Sequence, residues 1–457
     1  MLSVTARGIS VKILRIIAIV VVVGVVVFAG LALWLNRTPS SPFDGEVAAT
    51  AATFPVEETS YVARLADCVA CHSLPGQAPF AGGLPMGSPV GIIYATNITP
   101  DKTAGIGNYT LAEFDNAVRR GVAKDGHRLY PAMPYPSYAK MSDEDIRKLY
   151  DYFMFEVEPV AQPNPQSGIP FPLNQRWPLA FWNAVFAPGG VYRENPEQSA
   201  EWNRGAYIVQ GAAHCGSCHT ERGLAFNEVA LDESSSSYLA GAYLDGWYAS
   251  NLRGNQRAGL GRWSEDDIVQ LLKTGRNQHA GVFGSMLEAF NNSTQFFTDE
   301  DLRAVAVYLK SLPPTGEDRP YQYDEATSLA FANNDLSAPG AALYLRQCSN
   351  CHGVDGRGRG VLQPPLAGTP TVLEDNPASI INILLNGAGR MVVNGVPDSY
   401  RMTPFRVLLR DDEIADIATF IRGSWGNDAP PVTAAEVAAM REHTDPSSDE
   451  VIVLQMR

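Results

Sequence analysis

The chain has 457 residues, enough for about three domains of ordinary size. With 45% hydrophobic and 18% charged residues it has the composition of a folded globular protein. A net charge of −14 argues against nucleic acid as a partner, because phosphate recognition needs basic side chains.

The first element is an uncharged apolar run over residues 16–35. As a helix it reaches about 30 Å, the thickness of a bilayer's hydrocarbon core. Arg7, Lys12 and Arg15 precede it and Arg37 follows. The positive-inside rule therefore predicts residues 1–15 in the cytoplasm and everything beyond the helix outside, in the periplasm of a bacterium with its inner membrane. A cleaved signal peptide has an apolar core of about 7–15 residues ending at a small-x-small site. Here the run is longer and ends in Leu33-Trp34-Leu35, so residues 1–37 read as a retained single-pass anchor.

Residues 38–56, rich in Ser, Thr, Pro and Ala, read as a tether. A first unit, 57–155, opens on Cys68-Val69-Ala70-Cys71-His72 in a short helix. A Gly/Pro-rich loop, Tyr94-Ala95-Thr96-Asn97-Ile98 and a middle helix ending near Gly121 follow. Its closing helix starts at Ser142, which forms a capping-box pattern with Asp145. A Pro-rich connector, 156–200, carries the aromatic patch Trp177-Pro178-Leu179-Ala180-Phe181-Trp182, read either as satellite core or as a docking surface for a partner or the membrane interface.

The second unit, 201–312, repeats this plan around Cys215-Gly216-Ser217-Cys218-His219. Tyr248-Ala249-Ser250-Asn251-Leu252 lies 154 residues beyond Tyr94-Ala95-Thr96-Asn97-Ile98, and at that offset Gly261, Trp263, Ile268 and Gly275 match Gly107, Tyr109, Phe114 and Gly121. An ungapped match of this length marks a duplicated structural unit. Thr298 and Asp301 repeat the capping pair. After a polar linker, 313–336, a third and more divergent unit, 337–426, holds Cys348-Ser349-Asn350-Cys351-His352 and a middle helix ending near Gly387. Each closing helix carries an aliphatic and an aromatic six apart (Ile146/Tyr152, Leu302/Tyr308, Ile414/Phe420), read as core. The tail, 427–457, offers a helix after Thr433 and Glu436 and the strand-like Val451-Ile452-Val453-Leu454.

C-x-x-C-H is the attachment signature of c-type haem. Cysteines three apart share one helix face, so both thiols reach the two vinyl groups of one porphyrin, and the next His falls under the iron. One C-x-x-C alone fits a redox dithiol or half a zinc site. Three copies, each followed by His, consume all six cysteines and leave none for a disulfide. The reading is three covalently bound haem c groups on Cys68/Cys71, Cys215/Cys218 and Cys348/Cys351, with His72, His219 and His352 as iron ligands.

The occupant of the second axial position decides the chemistry: Met raises the potential and closes the iron to substrate. One Met stands in corresponding loops of all three units: Met133, 61 residues after His72; Met286, 67 after His219; and Met402, 50 after His352. A lone Met is commonly core filler; the threefold recurrence points to ligation. Met391 is also in range in the third unit, while Met86 and Met141 compete less well in the first. His127 and His279 read as neutral loop histidines bonded to backbone or propionate, and His214 and His443 have no partner pattern.

These residues resemble a known family, the three-haem cytochrome c subunits of bacterial membrane-bound periplasmic dehydrogenases acting on alcohols, gluconate, sorbitol or aldehydes. The likeness is carried by Thr96-Asn97-Ile98-Thr99-Pro100-Asp101, Gly126-His127-Arg128-Leu129-Tyr130-Pro131-Ala132-Met133-Pro134, Arg176-Trp177-Pro178-Leu179-Ala180-Phe181-Trp182 and Arg422-Gly423-Ser424-Trp425-Gly426-Asn427, and covers roughly 57–427. It departs from the pattern in the retained anchor and in Met402-Thr403-Pro404, where Met-Pro is usual. The resemblance implies a mainly α protein: three tandem class I cytochrome c-like domains after a transmembrane helix, passing electrons from a catalytic subunit to ubiquinone, with no substrate chemistry of its own. The partner is a pyrroloquinoline-quinone alcohol, flavin sugar or molybdenum aldehyde dehydrogenase, the anchor and tail inclining towards the last. Two rivals differ in kind. A self-contained multihaem oxidoreductase of peroxidase or thiosulfate dehydrogenase type needs a haem without Met, and a free-standing donor to a terminal oxidase has no dehydrogenase partner.

Overall fold

The computed structural model describes residues 11–47, 50–244, 246–316 and 318–447. Arg7 and the strand-like stretch Val451-Ile452-Val453-Leu454 lie outside the described residues. The protein is mostly helical, and its strands form three short hairpins.

Helix α1 (Val11–Leu35) is the apolar run, long and apolar enough to cross a membrane, and none of its apolar stretch is buried in the protein. In the first unit, α2 (Val56–Leu65) leads into α3 (Cys68–His72). The stretch read as a loop then forms a hairpin of β1 (Pro85–Ser88) and β2 (Gly91–Tyr94), with Pro85 opposite Tyr94. Its Pro and Gly residues mask the alternation that marks a strand. Helix α4 (Leu111–Arg120) starts on a full Thr110/Glu113 capping box and stops at Gly121, as the pattern predicts. After the short α5 (Tyr135–Tyr138), α6 (Asp143–Asp151) closes the unit, with Ser142 Oγ accepting from the Asp145 amide at 3.0 Å.

The connector 156–200 is packed rather than loose. Asn97 Nδ2 donates to the carbonyls of Val160 at 2.7 Å and Gln162 at 3.1 Å, and the Gly168 amide donates to Ile92 at 2.8 Å. Its aromatic patch forms α7 (Leu179–Phe186), which lies against α1.

The second unit follows the same order: α8 (Ala200–Tyr207), α9 (Gly216–His219), a hairpin of β3 (Ala242–Leu244) and β4 (Trp247–Ala249), α10 (Glu265–Thr274) ending at Gly275, α11 (Met286–Asn292) and α12 (Asp299–Ser311). Helices α8 and α12 cross in contact at Gly205, where a Cβ would stand 2.0 Å from the Ala304 carbonyl oxygen. Only glycine permits that approach.

The first two units share one hydrophobic core, joining Ile146, Leu149 and Phe153 to Trp202, Ile208, Leu302 and Tyr308. The capping acids serve this junction. Thr298 Oγ1 accepts from the Asp301 amide at 3.1 Å, but the Asp301 carboxylate accepts from Arg204 at 2.7 Å and from the Tyr61 hydroxyl at 2.5 Å. The Asp145 carboxylate likewise accepts from the Tyr207 hydroxyl. Each cap is thus half local and half a bond across the units.

The linker 313–336 contains α13 (Ala326–Ala332), which stacks Phe331 on Tyr344 at 6.0 Å. The third unit has α14 (Ala341–Gln347), α15 (Ser349–His352), α16 (Pro370–Leu373), α17 (Ala378–Asn386) ending at Gly387, a hairpin of β5 (Val392–Val393) and β6 (Val396–Pro397), and α18 (Asp411–Arg422). Its core is separate, built on Tyr344, Ile381, Leu385, Ile414, Phe420 and Trp425, and α19 (Ala434–His443) adds Val437 from the tail. The Tyr248 amide donating to Ser379 Oγ at 2.8 Å and Arg276 paired with Asp398 at 2.6 Å tie it to the second unit.

Candidate haem sites

All three motifs form one helical turn that ends on the histidine: α3, α9 and α15. In each, the imidazole Nδ1 meets a backbone carbonyl: His72 with Thr96 at 2.6 Å, His219 with Ser250 at 2.7 Å and His352 with Pro364 at 3.0 Å. A carbonyl oxygen only accepts, so Nδ1 carries the proton and the Nε2 lone pair is left for a metal. Burial lowers the pKa of all three rings, against a smaller upward pull from the carbonyl bond, and so favours the neutral form that binds iron.

The turn is closed a second time from the backbone. The carbonyls of His72, His219 and His352 accept from the amides of Gly82, Gly241 and Gly358 at 2.8, 2.9 and 2.9 Å. At Gly358 φ is +70°, and a Cβ would lie 2.1 Å from the Gln363 carbonyl oxygen. The segment carrying the acceptor carbonyl therefore runs directly over this glycine. Gly82 repeats the arrangement against the Thr96 backbone, whereas Gly241 faces chiefly the Tyr248 side chain.

Burial pushes the thiols of Cys68, Cys71, Cys215 and Cys348 up to about 12. Protonated thiols of this kind are poor redox nucleophiles. Among the described residues no three His, Cys, Asp or Glu side chains converge as a metal cluster. The dithiol and zinc readings lose their support, whereas thioether formation asks only that both sulfurs face one slot. In the third unit that slot is a cavity of ≈ 310 Å³, lined by Cys348, Cys351, His352, Leu366, Met391 and Met402 among others. Its donor set and mainly apolar wall fit a haem c.

Of the methionines, Met133 packs against the core shared by the first two units, and Met402 against the core of the third. Met286 is the first residue of α11, which touches α3 of the neighbouring unit. Met391 belongs to a small cluster with Leu287 and Phe290, its Sδ held against Gly275 of the second unit. Met141 is fully buried in the shared core and Met86 is buried on β1. His127 and His279 face carboxylates rather than backbone: His127 Nδ1 bonds Asp125, and His279, stacked on Trp263 at 5.0 Å, lies 3.4 Å from Asp267.

The sequence gives His214 no role, yet it sits where the first two sites meet. It precedes Cys215, lies edge-to-face on Tyr138 at 5.4 Å, and Tyr138 donates to the Ala66 carbonyl at 2.7 Å just before Cys68. Burial depresses its pKa to about 4, leaving a neutral ring at the junction. Thr96 and Ser250, the acceptors in the first two units, occupy equivalent positions in the 154-residue repeat.

A cytochrome c family model matches residues 203–313 and 337–425, the second and third units. The cytochrome c subunit of a quinone alcohol dehydrogenase from Gluconacetobacter polyoxogenes is 50% identical over 400 residues, spanning 86% of this chain and 85% of that protein. The gluconate 2-dehydrogenase cytochrome c subunit of Pantoea cypripedii is 48% identical over 394 residues, 85% of this chain and 89% of that one. The fructose dehydrogenase cytochrome subunit of Gluconobacter japonicus is 40% identical over 405 residues, 83% and 81% of the two chains. Identity of this degree along most of both chains, on top of the histidine geometry, settles the family: the chain belongs to the cytochrome c subunits of dehydrogenase complexes and is an electron-transfer subunit.

Proposed function

We propose that the chain holds three covalent haem c groups and relays electrons from a dehydrogenase's catalytic subunit to ubiquinone. The haems would attach at Cys68/Cys71, Cys215/Cys218 and Cys348/Cys351, with His72, His219 and His352 and the methionines Met133, Met286 and Met402 as the residues that would hold the iron. The observation that carries this reading is the threefold Nδ1–carbonyl bond, which recurs in the first unit although the family model matches only the other two. Haem c, when bound, supplies a reversible one-electron couple and nothing else is needed from the substrate side. The chain's residues set its terms. Thr96, Ser250 and Pro364 fix each imidazole's tautomer and orientation and raise its basicity. Met133, Met286 and Met402 would supply the second ligand to each iron, and the mainly apolar wall of the third site would keep water from it.

The domains are then 57–155, 201–312 and 337–426, on an anchor of residues 1–37 that leaves residues 1–15 in the cytoplasm and the rest in the periplasm. The catalytic partner is of the pyrroloquinoline-quinone alcohol, flavin sugar or molybdenum aldehyde type. The test is haem stoichiometry per polypeptide by the pyridine haemochrome method, then quinone reduction by the purified complex in liposomes. Three haems and substrate-dependent ubiquinol formation are expected. Two haems, or a complex that reduces only soluble acceptors, refutes the proposal.

A further inference from the structure

The connector between the first two units carries a run of exposed apolar side chains. Helix α7 has no charged residue, and an apolar all-round helix is ordinarily buried. Yet Phe171 is 78% exposed and Val185 69%, with Leu173 and Trp177 also open. A turn of the second unit extends the patch: Trp182 Nε1 donates to the Ala225 carbonyl at 2.8 Å, and beside it Phe226 is exposed and Leu224 fully so, at 105%.

The position of this patch along α1 identifies its occupant. Phe181 stacks on Phe28 at 5.6 Å with the planes 8° apart, and Trp177 meets the same ring edge-on at 6.2 Å. Phe28 precedes Leu35, the last residue of the apolar run, by seven positions, about 10 Å along a helix axis. A run of about 30 Å filling the hydrocarbon core puts Phe28 within its outer half. The connector's backbone stays higher, where Asn36 Nδ2 donates to the Trp177 carbonyl at 3.1 Å. The end of α1 is also gripped by the first unit: Arg128 donates to the carbonyls of Leu35 at 2.6 Å and Arg37 at 3.0 Å. The patch therefore has a fixed level relative to the anchor, with aromatic rings reaching down from an interfacial backbone.

We propose that residues 171–186 and the 224–226 turn are seated in the outer leaflet of the bilayer, a second, shallow membrane contact that sets the height and tilt of the haem-bearing units. This rests on the reading that α1 spans the membrane. One consequence concerns the first haem site. The Met133 loop stands on the membrane-facing segment, through Tyr135 Oη donating to Asn183 Oδ1 at 2.7 Å and Arg176 lying over the Tyr130 ring at 3.7 Å.

The test is spin-label depth measurement on the full-length holoprotein in phosphatidylethanolamine/phosphatidylglycerol liposomes. With haem bound, the six native cysteines are thioethers, so an introduced cysteine is the one thiol that labels. Labels are placed at Val185→Cys and Leu224→Cys, with Leu33→Cys on α1 as membrane reference and Glu300→Cys at the start of α12 as aqueous reference. Collisional relaxation by oxygen, which concentrates in lipid, is compared with that by a water-soluble nickel chelate. At 185 and 224 the oxygen effect is expected to exceed the nickel effect, as at 33 and inverted from 300. If 33 reads as lipid while 185 and 224 read as water, or are shielded from both reagents as under a protein partner, the second contact is wrong and the anchor stands. If 33 itself reads as water, the anchor reading and the proposal fall together.

Discussion

Gly358→Ala isolates the device that holds the third histidine. The alanine is forced into left-handed backbone at φ +70°, which costs about 1–2 kcal/mol. Its Cβ would also lie 2.1 Å from the Gln363 carbonyl oxygen and 2.8 Å from the Pro364 carbonyl carbon, so that segment must retreat by more than an ångström. Overpacking of this kind adds about 1–3 kcal/mol. Because the segment carries the Pro364 carbonyl that accepts from His352 Nδ1 at 3.0 Å, its retreat breaks that bond too. The sum, roughly 2–5 kcal/mol, is a large share of the ~5–15 kcal/mol that holds a domain together. The third unit has its own core, so its melting transition alone is expected to fall, by roughly 8–40 °C at ~4–8 °C per kcal/mol. Gly360→Ala is the control: φ is +59° there but nothing lies within 4 Å, so only the backbone cost applies. Calorimetry on the holoprotein reads the transitions, and a redox titration reads the imidazole, whose lost hydrogen bond weakens its donor strength and raises one potential of the three. Equal effects of the two substitutions, or an unmoved potential in Gly358→Ala, would refute the reasoning.

Three further tests follow from the same geometry. Met133→Ala, Met286→Ala and Met402→Ala are each expected to remove about a third of the methionine–iron absorption band while Met391→Ala leaves it intact, costing instead about 2–5 kcal/mol as a cavity between the second and third units; loss of the band in Met391→Ala would exchange the roles of the two residues. For Asp301, burial raises the carboxyl pKa but hydrogen bonds from Arg204 and Tyr61 more than offset it and hold it below the ordinary value. Its contribution is therefore complete above the unfolded Asp value of about 4 and fades as pH falls through the folded one. The melting difference between wild type and Asp301→Asn should accordingly shrink in acid; a difference that grows there contradicts the assignment. Glu374 has the opposite sign, since burial raises its pKa to about 8, at a site where it accepts from the Asn251 amide at 3.3 Å. The folded state then binds the extra proton between the ordinary value of 4.5 and about 8, so stability declines across that window as pH rises. Glu374→Gln should flatten the decline and melt higher than wild type at pH about 9, and an unchanged profile would show that this carboxyl ionises freely.

What was legible in the sequence was whatever a few neighbouring residues decide. Gly121, Gly275 and Gly387 end their helices, and Ser142, Thr298 and Thr433 begin theirs, because capping needs only the local backbone. The capping acids show where that logic stops. Asp145 and Asp301 sit three residues after their caps, as a capping box requires, but their carboxylates turn to Tyr207, Arg204 and Tyr61 on other helices. Nothing within a capping pattern distinguishes an acid that folds back from one that reaches 62 or 240 residues along the chain. The connectors were opaque for the same reason. Polar, proline-rich residues look like spacers until Asn97 is seen to bind the carbonyls of Val160 and Gln162, and Phe331 to complete the aromatic stack on Tyr344.

The candidate haem sites combine both cases. Cysteine and histidine announce themselves by type and spacing, but the group that orients each histidine is a main-chain carbonyl, supplied by Thr, Ser and Pro in turn. No residue signature marks such an acceptor. The distances along the chain differ as well, 24, 31 and 12 residues from histidine to acceptor, so spacing does not find it either. What is common to the three is a glycine in left-handed backbone whose amide holds the histidine carbonyl. Loops of unequal length that end in the same two hydrogen bonds point to a constraint on the imidazole itself rather than on the loops. A ring held at Nδ1 from one side and at its own carbonyl from the other has little freedom to tilt, and a relay that must not reorganise when charge arrives depends on that stiffness.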